Sequence, residues 1–155
     1  MEMQQIIDAV QGFDGALVVV PEEGGPFPEL AWGDAFFFFA PDGVMPERTQ
    51  PYGTIITKDY PGDEASRLDA PDRFRVNIHV GRDAARRLAA SGADPAEPDV
   101  VVLHPVYGAQ GWVSVVGPGE RTGDLVLALL REAHEAARAR ATRRASSADR
   151  PGRPA

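Results

Sequence analysis

The chain has 155 residues, 16 Lys and Arg against 23 Asp and Glu, a formal charge of -7 and no Cys. That excludes a disulfide framework, a thiolate metal site and a cysteine nucleophile. No run approaches the roughly 18 apolar residues of a membrane span. The start, MEMQQIIDAV, lacks the positive-then-apolar pattern of a secretory leader. We therefore expect a cytoplasmic protein of one domain, with no membrane partner.

Residues 3–13 carry Ile6, Ile7 and Val10 at helical spacing and reach a stop at Gly12. Residues 16–20 are a β-rich run closed by Pro21, and residues 22–28, with Gly24, Gly25, Pro26 and Pro28, form a loop. Residues 30–40 hold Trp32 and four consecutive Phe and read as a strand ending at Pro41, followed by a second β-rich run at 52–58. Residues 59–72 contain Pro61, Gly62, Pro71 and many acidic side chains, the composition of a long exposed loop. Residues 74–80 alternate as a strand, 82–90 form a helix that stops at Ser91 and Gly92, and 100–103 and 111–116 are the last two strands. Thr122 and Asp124 begin a final helix with Leu125, Leu129 and Ala133 on one face, running to about Arg143. Within it His134 is expected to face solvent. The expected organisation is one α+β domain over residues 1–144 and a disordered Arg/Pro/Ser tail over 145–155. Its mostly antiparallel sheet has about six strands, in the order α-β4-α-β2-α, with helices on one face and the other face uncovered.

Along 74–80, Phe74, Val76, Ile78 and Val80 alternate with Arg75, Asn77 and His79. This is the pattern of a strand with one core face and one wet face. The polar strip is either a solvated sheet face or a ligand-facing one. The run Phe36, Phe37, Phe38 and Phe39 breaks alternation. One pair belongs to the core; the other needs cover from a loop, a second copy of the chain or an apolar ligand. Trp32, Gly33 and Asp34 precede that run, and Thr57, Lys58 and Asp59 end the next strand. Paired as a hairpin, they would gather a Lys between two carboxylates, as a surface ion pair or as an activated amine. His104, Pro105, Val106 and Tyr107 lead to Trp112 around two glycines. That segment is either a binding loop with His104 as general base, or a set of packing anchors.

His79, His104 and His134 lack metal-ligand spacing, and GxSxG, P-loop and GxGxxG motifs are absent. No metal and no cofactor is expected, and Ser114 lies mid-strand without a nucleophile elbow. Taken as a set, WGDAFFFF, TIITKD, RLDAPDRFRVNIHV and LHPVYGAQGWVSV resemble a family of small actinobacterial proteins known as a domain of unknown function. The resemblance spans residues 3–138 and implies no reaction. The closing order of HP, then GWV, then a long helix is similar to the MmcQ/YjbR-like proteins. That similarity implies a compact α+β fold and, by analogy only, nucleic-acid binding.

Three functions remain open from the sequence, and whether the chain is an enzyme is undecided. The first is a binding or tailoring protein for an anionic or aromatic small molecule on the open sheet face. Its candidate ligand-binding residues are Trp32, Asp34, Lys58, Asp59, Arg75, Asn77, His79, His104, Tyr107 and Trp112. The second is a nucleic-acid-binding or regulatory module. The acidic excess of residues 1–120 argues against it, leaving only the Arg-rich C-terminal end to meet phosphates. The third is a homodimer formed through the Phe36–Phe39 strand.

Overall fold

The computed structural model describes residues 1–149. Its elements are α1 (Met3–Gln11), β1 (Ala16–Val19), β2 (Ala35–Phe39), β3 (Gly53–Ile56), β4 (Arg75–His79), α2 (Arg82–Leu88), β5 (Val102–Leu103), β6 (Trp112–Val116) and α3 (Gly123–Asp149). Six antiparallel strands form one sheet in the order β1-β2-β3-β4-β6-β5. The α+β class, the antiparallel sheet and the order of elements agree with the expectation. One register row joins Ala35, Ile55, Val76 and Val115, and the next joins Phe37, Gly53, Ile78 and Val113. These rows pack against Ile6, Ile7 and Val10 of α1 and Val126, Leu129 and Leu130 of α3. At Gly53 a Cβ would come within 2.9 Å of Leu130 Cδ2, so the bare backbone is what lets α3 seat on the sheet.

The apolar face of α3 is Val126, Leu129, Leu130 and Ala133, whereas Leu125 is exposed. Ahead of α3, Asp99 gathers the N–H groups of Gly119, Arg121 and Thr122 and the Thr122 hydroxyl. Burial pulls the Asp99 carboxyl up, but these four donors outweigh it and hold it at about 2. The helix continues to Asp149. It passes the expected end near Arg143 and takes in residues 145–149 of the expected tail; residues 150–155 of that tail lie outside the described residues.

His134 corrects the reading of α3. It is buried, not solvent-facing. Its Nε2–H donates to the Asp14 carbonyl at 2.7 Å, and its Nδ1 accepts from the Tyr52 hydroxyl at 2.9 Å. The rings of Phe13, Phe39 and Tyr52 surround it with centroids at 5.2, 5.5 and 5.5 Å. This cage resolves half of the Phe run. Phe37 and Phe39 lie on the helix side, and Phe36 and Phe38 on the other. Phe37 and Phe38 are buried and Phe36 and Phe39 half-buried within a single chain.

The second sheet face is not uncovered either. Residues 57–73, which include the segment 59–72 expected to be an exposed loop, fold across it. Leu68 packs on Ile56 and Val116 beside Tyr60. The loop closes on itself through two aspartates: the Asp59 N–H donates to Asp69 at 2.9 Å and the Leu68 N–H to Asp59 at 2.8 Å. Apolar periodicity does not show this cover, because it is built from local polar turns with a single apolar plug.

The His134 cage yields a stability expectation. Replacing His134 with Leu fills similar volume but strands the Tyr52 hydroxyl and the Asp14 carbonyl. Urea denaturation is expected to show a loss of about 1–3 kcal/mol, and a variant as stable as the wild type overturns the structural role given to this histidine.

Candidate functional site

β4 is an inner strand with β3 and β6 on its flanks, and this placement decides the environment of its polar side chains. On the second face the register aligns Thr54, Asn77 and Ser114. The Asn77 amide donates to Thr54 Oγ1 at 3.0 Å, and its oxygen accepts from Ser114 Oγ at 2.7 Å and from Arg75 Nε at 2.8 Å. Arg75 and Asn77 are only 1% and 3% exposed, so the strip is not a hydrated sheet face. The guanidinium forks onto Asp63 of the covering loop, with Nη1 to Oδ1 at 2.9 Å and Nη2 to Oδ2 at 2.6 Å. Nη1 also donates to Ser66 Oγ at 2.9 Å. The hydrogen bonds from Arg75 hold the Asp63 carboxyl below its usual range against the opposing effect of burial. The charge of Arg75 is thus answered inside the protein.

His104 follows β5 and starts a tight turn. Its Nδ1 accepts from the N–H groups of Val106 and Tyr107, both at 3.0 Å. The His104 backbone N–H donates to the Trp112 carbonyl at 3.0 Å, and its backbone carbonyl accepts from the Gly108 N–H at 2.9 Å. Gly111 closes the turn at φ 95°, where a Cβ would lie 2.7 Å from the Gly81 carbonyl carbon. Only glycine fits there, on conformation and on space. Burial, and then the adjacent Arg75 charge, push the His104 imidazole down to about 4 against a smaller opposing pull from Asp63. Burial beside Arg75 favours the uncharged ring, and its Nδ1 is committed to the two N–H groups of the turn.

Between this turn and the covering loop lies a cavity of about 540 Å³. Gln50, Pro51, Thr54, Ile56, Tyr60, Asp63, Arg75, Asn77, His104, Tyr107, Gln110 and Trp112 line it. Five of the expected ligand residues therefore meet there: Arg75, Asn77, His104, Tyr107 and Trp112. Five do not. Asp34 is fully buried and ties β2 to the end of β3, accepting from the Thr57 N–H at 2.8 Å, Thr57 Oγ1 at 2.6 Å, Lys58 Nζ at 3.0 Å and the Tyr60 hydroxyl. Lys58 also donates to the Trp32 carbonyl at 2.7 Å, and the Trp32 indole to the Phe27 carbonyl at 3.2 Å. Asp59 braces the covering loop. His79 donates to the Gln110 carbonyl at 3.2 Å and stands edge-on to Trp112 with centroids at 5.5 Å, behind the cavity wall.

Thr54 and Ile56 were missed although strand alternation across β3 and β4 could have found them. Tyr60 and Asp63 carried no periodic signal, because only the folding of the loop brings them over the sheet. Burial, with the Asp34 hydrogen bond and charge behind it, pushes the Tyr60 hydroxyl above its ordinary value. Ser114 donates to Asn77 and not to an imidazole. Among the described residues, no three His, Asp or Glu side chains gather as metal ligands.

Two outcomes follow from these groups. The unfolded chain takes up a proton at His104 near 6.5, while the folded chain resists until about 4. Stability is therefore complete above pH 6.5 and falls as the pH drops toward 4, by on the order of 3 kcal/mol. Urea midpoints measured across that range are expected to decline less in His104→Asn, whose amide oxygen can replace Nδ1. Equal slopes in the two proteins would remove His104 as the cause. Secondly, Asp63→Ala leaves the buried guanidinium unpaired and is expected to cost about 3–5 kcal/mol, whereas Asp63→Leu combined with Arg75→Met recovers most of it. A double variant no better than the single ones contradicts the pairing.

No helix among the described residues is long and apolar enough to cross a membrane. No curated protein and no solved structure matches the chain, and no relationship to the MmcQ/YjbR-like proteins is shown. The model of the family of unknown function DUF6194 does match, over residues 1–146, and the chain belongs to that family.

Proposed function

We propose that the chain binds a small, neutral aromatic molecule in the cavity on its second sheet face. The observation that carries this reading is a cavity of about 540 Å³ walled by Tyr60, Tyr107 and Trp112 over a polar floor of Thr54 and Asn77. That volume lies within the roughly 300–1,000 Å³ of small-molecule sites, which combine apolar walls with a few placed polar groups. The anionic alternative loses its support here. The cavity's one guanidinium is paired with Asp63, and His104 is uncharged at neutral pH. Aromatic faces remain, with the amide edges of Gln50 and Gln110. They suit a flat ring system with hydrogen-bonding edges. The nucleic-acid reading finds no basic surface on this face, and the dimer reading finds no exposed Phe patch.

The test is an NMR titration of the full chain with indole, quinoline and 2-naphthalenesulfonate, following the Trp112 indole N–H. Indole or quinoline is expected to shift that signal saturably, and Trp112→Ala to weaken binding about tenfold. Preference for the sulfonate, or no shift with any of the three, overturns the proposal.

A further inference from the structure

The hydrogen positions at the inner end of the cavity are fixed by the backbone. His104 Nδ1 accepts two main-chain N–H groups at 3.0 Å, so it carries no proton. A neutral imidazole has one ring proton, and it must then sit on Nε2. That nitrogen faces Arg75 Nη2 at 3.2 Å. A guanidinium only donates, so this contact brings two donors together and is not a hydrogen bond. The nearest carboxylate oxygen, Asp63 Oδ2, is 4.0 Å from Nε2 and out of reach. The His104 side chain is 5% exposed. A buried N–H on a cavity wall therefore has no protein acceptor among the described residues and can donate to a group inside the cavity.

Arg75 contributes a second donor at the same place. One hydrogen of Nη2 is held by Asp63 at 2.6 Å, and the other lies on the His104 side. An oxygen about 2.9 Å from each nitrogen closes a triangle on the 3.2 Å base. Both residues line the cavity, so such an oxygen can arrive from within it. We infer that His104 Nε2–H and Arg75 Nη2–H together form a clamp for one carbonyl oxygen, and that the ligand is an aromatic lactam or amide. This rests on reading the cavity as a ligand site. Charge chooses carbonyl over carboxylate. The ion pair of Arg75 with Asp63 is already neutral, and a ligand carboxylate would bring a second negative charge against Asp63. A carbonyl brings a partial charge only, and polarised donors in a water-poor pocket hold it well. The ring to which the carbonyl belongs would lie among Tyr60, Tyr107 and Trp112.

The experiment has two arms on the full chain. Long-range ¹H–¹⁵N correlation of the imidazoles is expected to show His104 protonated on Nε2 and bare on Nδ1; the reverse tautomer overturns the clamp. The second arm titrates 2-quinolinone, naphthalene and 2-naphthoate, following the Trp112 indole N–H. Quinolinone is expected to bind at least tenfold tighter than naphthalene, and His104→Asn, which keeps the acceptor for the turn, is expected to close that gap. Equal binding of quinolinone and naphthalene overturns the clamp while leaving the cavity as a ligand site. Tighter binding of naphthoate overturns the choice of a neutral carbonyl. Failure of all three to shift Trp112 removes the cavity reading and the clamp with it.

Discussion

Arg75 stands on an inner strand of the sheet and keeps its charge there because residues 57–73 deliver Asp63 to it. The fork between the two is short on both arms. It is joined by Ser66 from the same loop and by Asn77 from the same strand. A buried pair of this kind contributes modest net stability, but removing either member is severe. It therefore acts as a selector. A conformation that buries Arg75 under the loop without bringing Asp63 to it leaves the guanidinium without its carboxylate partner. The fold with the loop down is the one that satisfies both.

The cavity is a consequence of this closure. Leu68 fills the space over Ile56 and Val116, at the end of the face where Arg75 begins. Farther along, over Thr54 and Asn77, the loop supplies no comparable plug, and Tyr60, Tyr107 and Trp112 stand around the gap. Its polar groups are held from behind. Asn77 is committed to Thr54, Ser114 and Arg75, and Tyr60 to Asp34. Side chains fixed in this way are placed before any ligand arrives, the condition for selective binding without a large ordering cost.

The turn from His104 to Trp112 imposes the remaining chemistry. Two backbone N–H groups fix the imidazole tautomer, and burial beside Arg75 keeps the ring uncharged. Glycine at position 111 brings the turn against the start of α2. His134 shows the same economy on the other side of the sheet, where one imidazole satisfies the Tyr52 hydroxyl and the Asp14 carbonyl inside an aromatic cage. In both places a histidine is held by hydrogen bonds inside the protein, a role that spacing in the chain does not distinguish from catalysis or exposure.

The class of fold, the order of its elements and the inward set Val76 and Ile78 could be read directly, because they rest on local periodicity and on Gly and Pro punctuation. The same alternation placed Arg75, Asn77 and His79 on the opposite face. It did not say that this face would be buried, since the loop that covers it has no apolar period and is held by Asp59, Asp69 and Asp63. The meeting of Lys58 with Asp34 was legible, but the second carboxylate, Asp59, turns to the Leu68 N–H instead. The role of Asp34 depended on depth, and it is an anchor below the surface. Of the stripe read as Leu125, Leu129 and Ala133, the last two are buried, and the sheet adds Val126 and Leu130 while leaving Leu125 exposed. Local pattern thus carries element type and side-chain alternation, because these depend on near neighbours alone. Burial, hydrogen-bond partners, tautomer and the cavity depend on segments far apart in the chain, so they exist only after the strands have paired and the loop has closed.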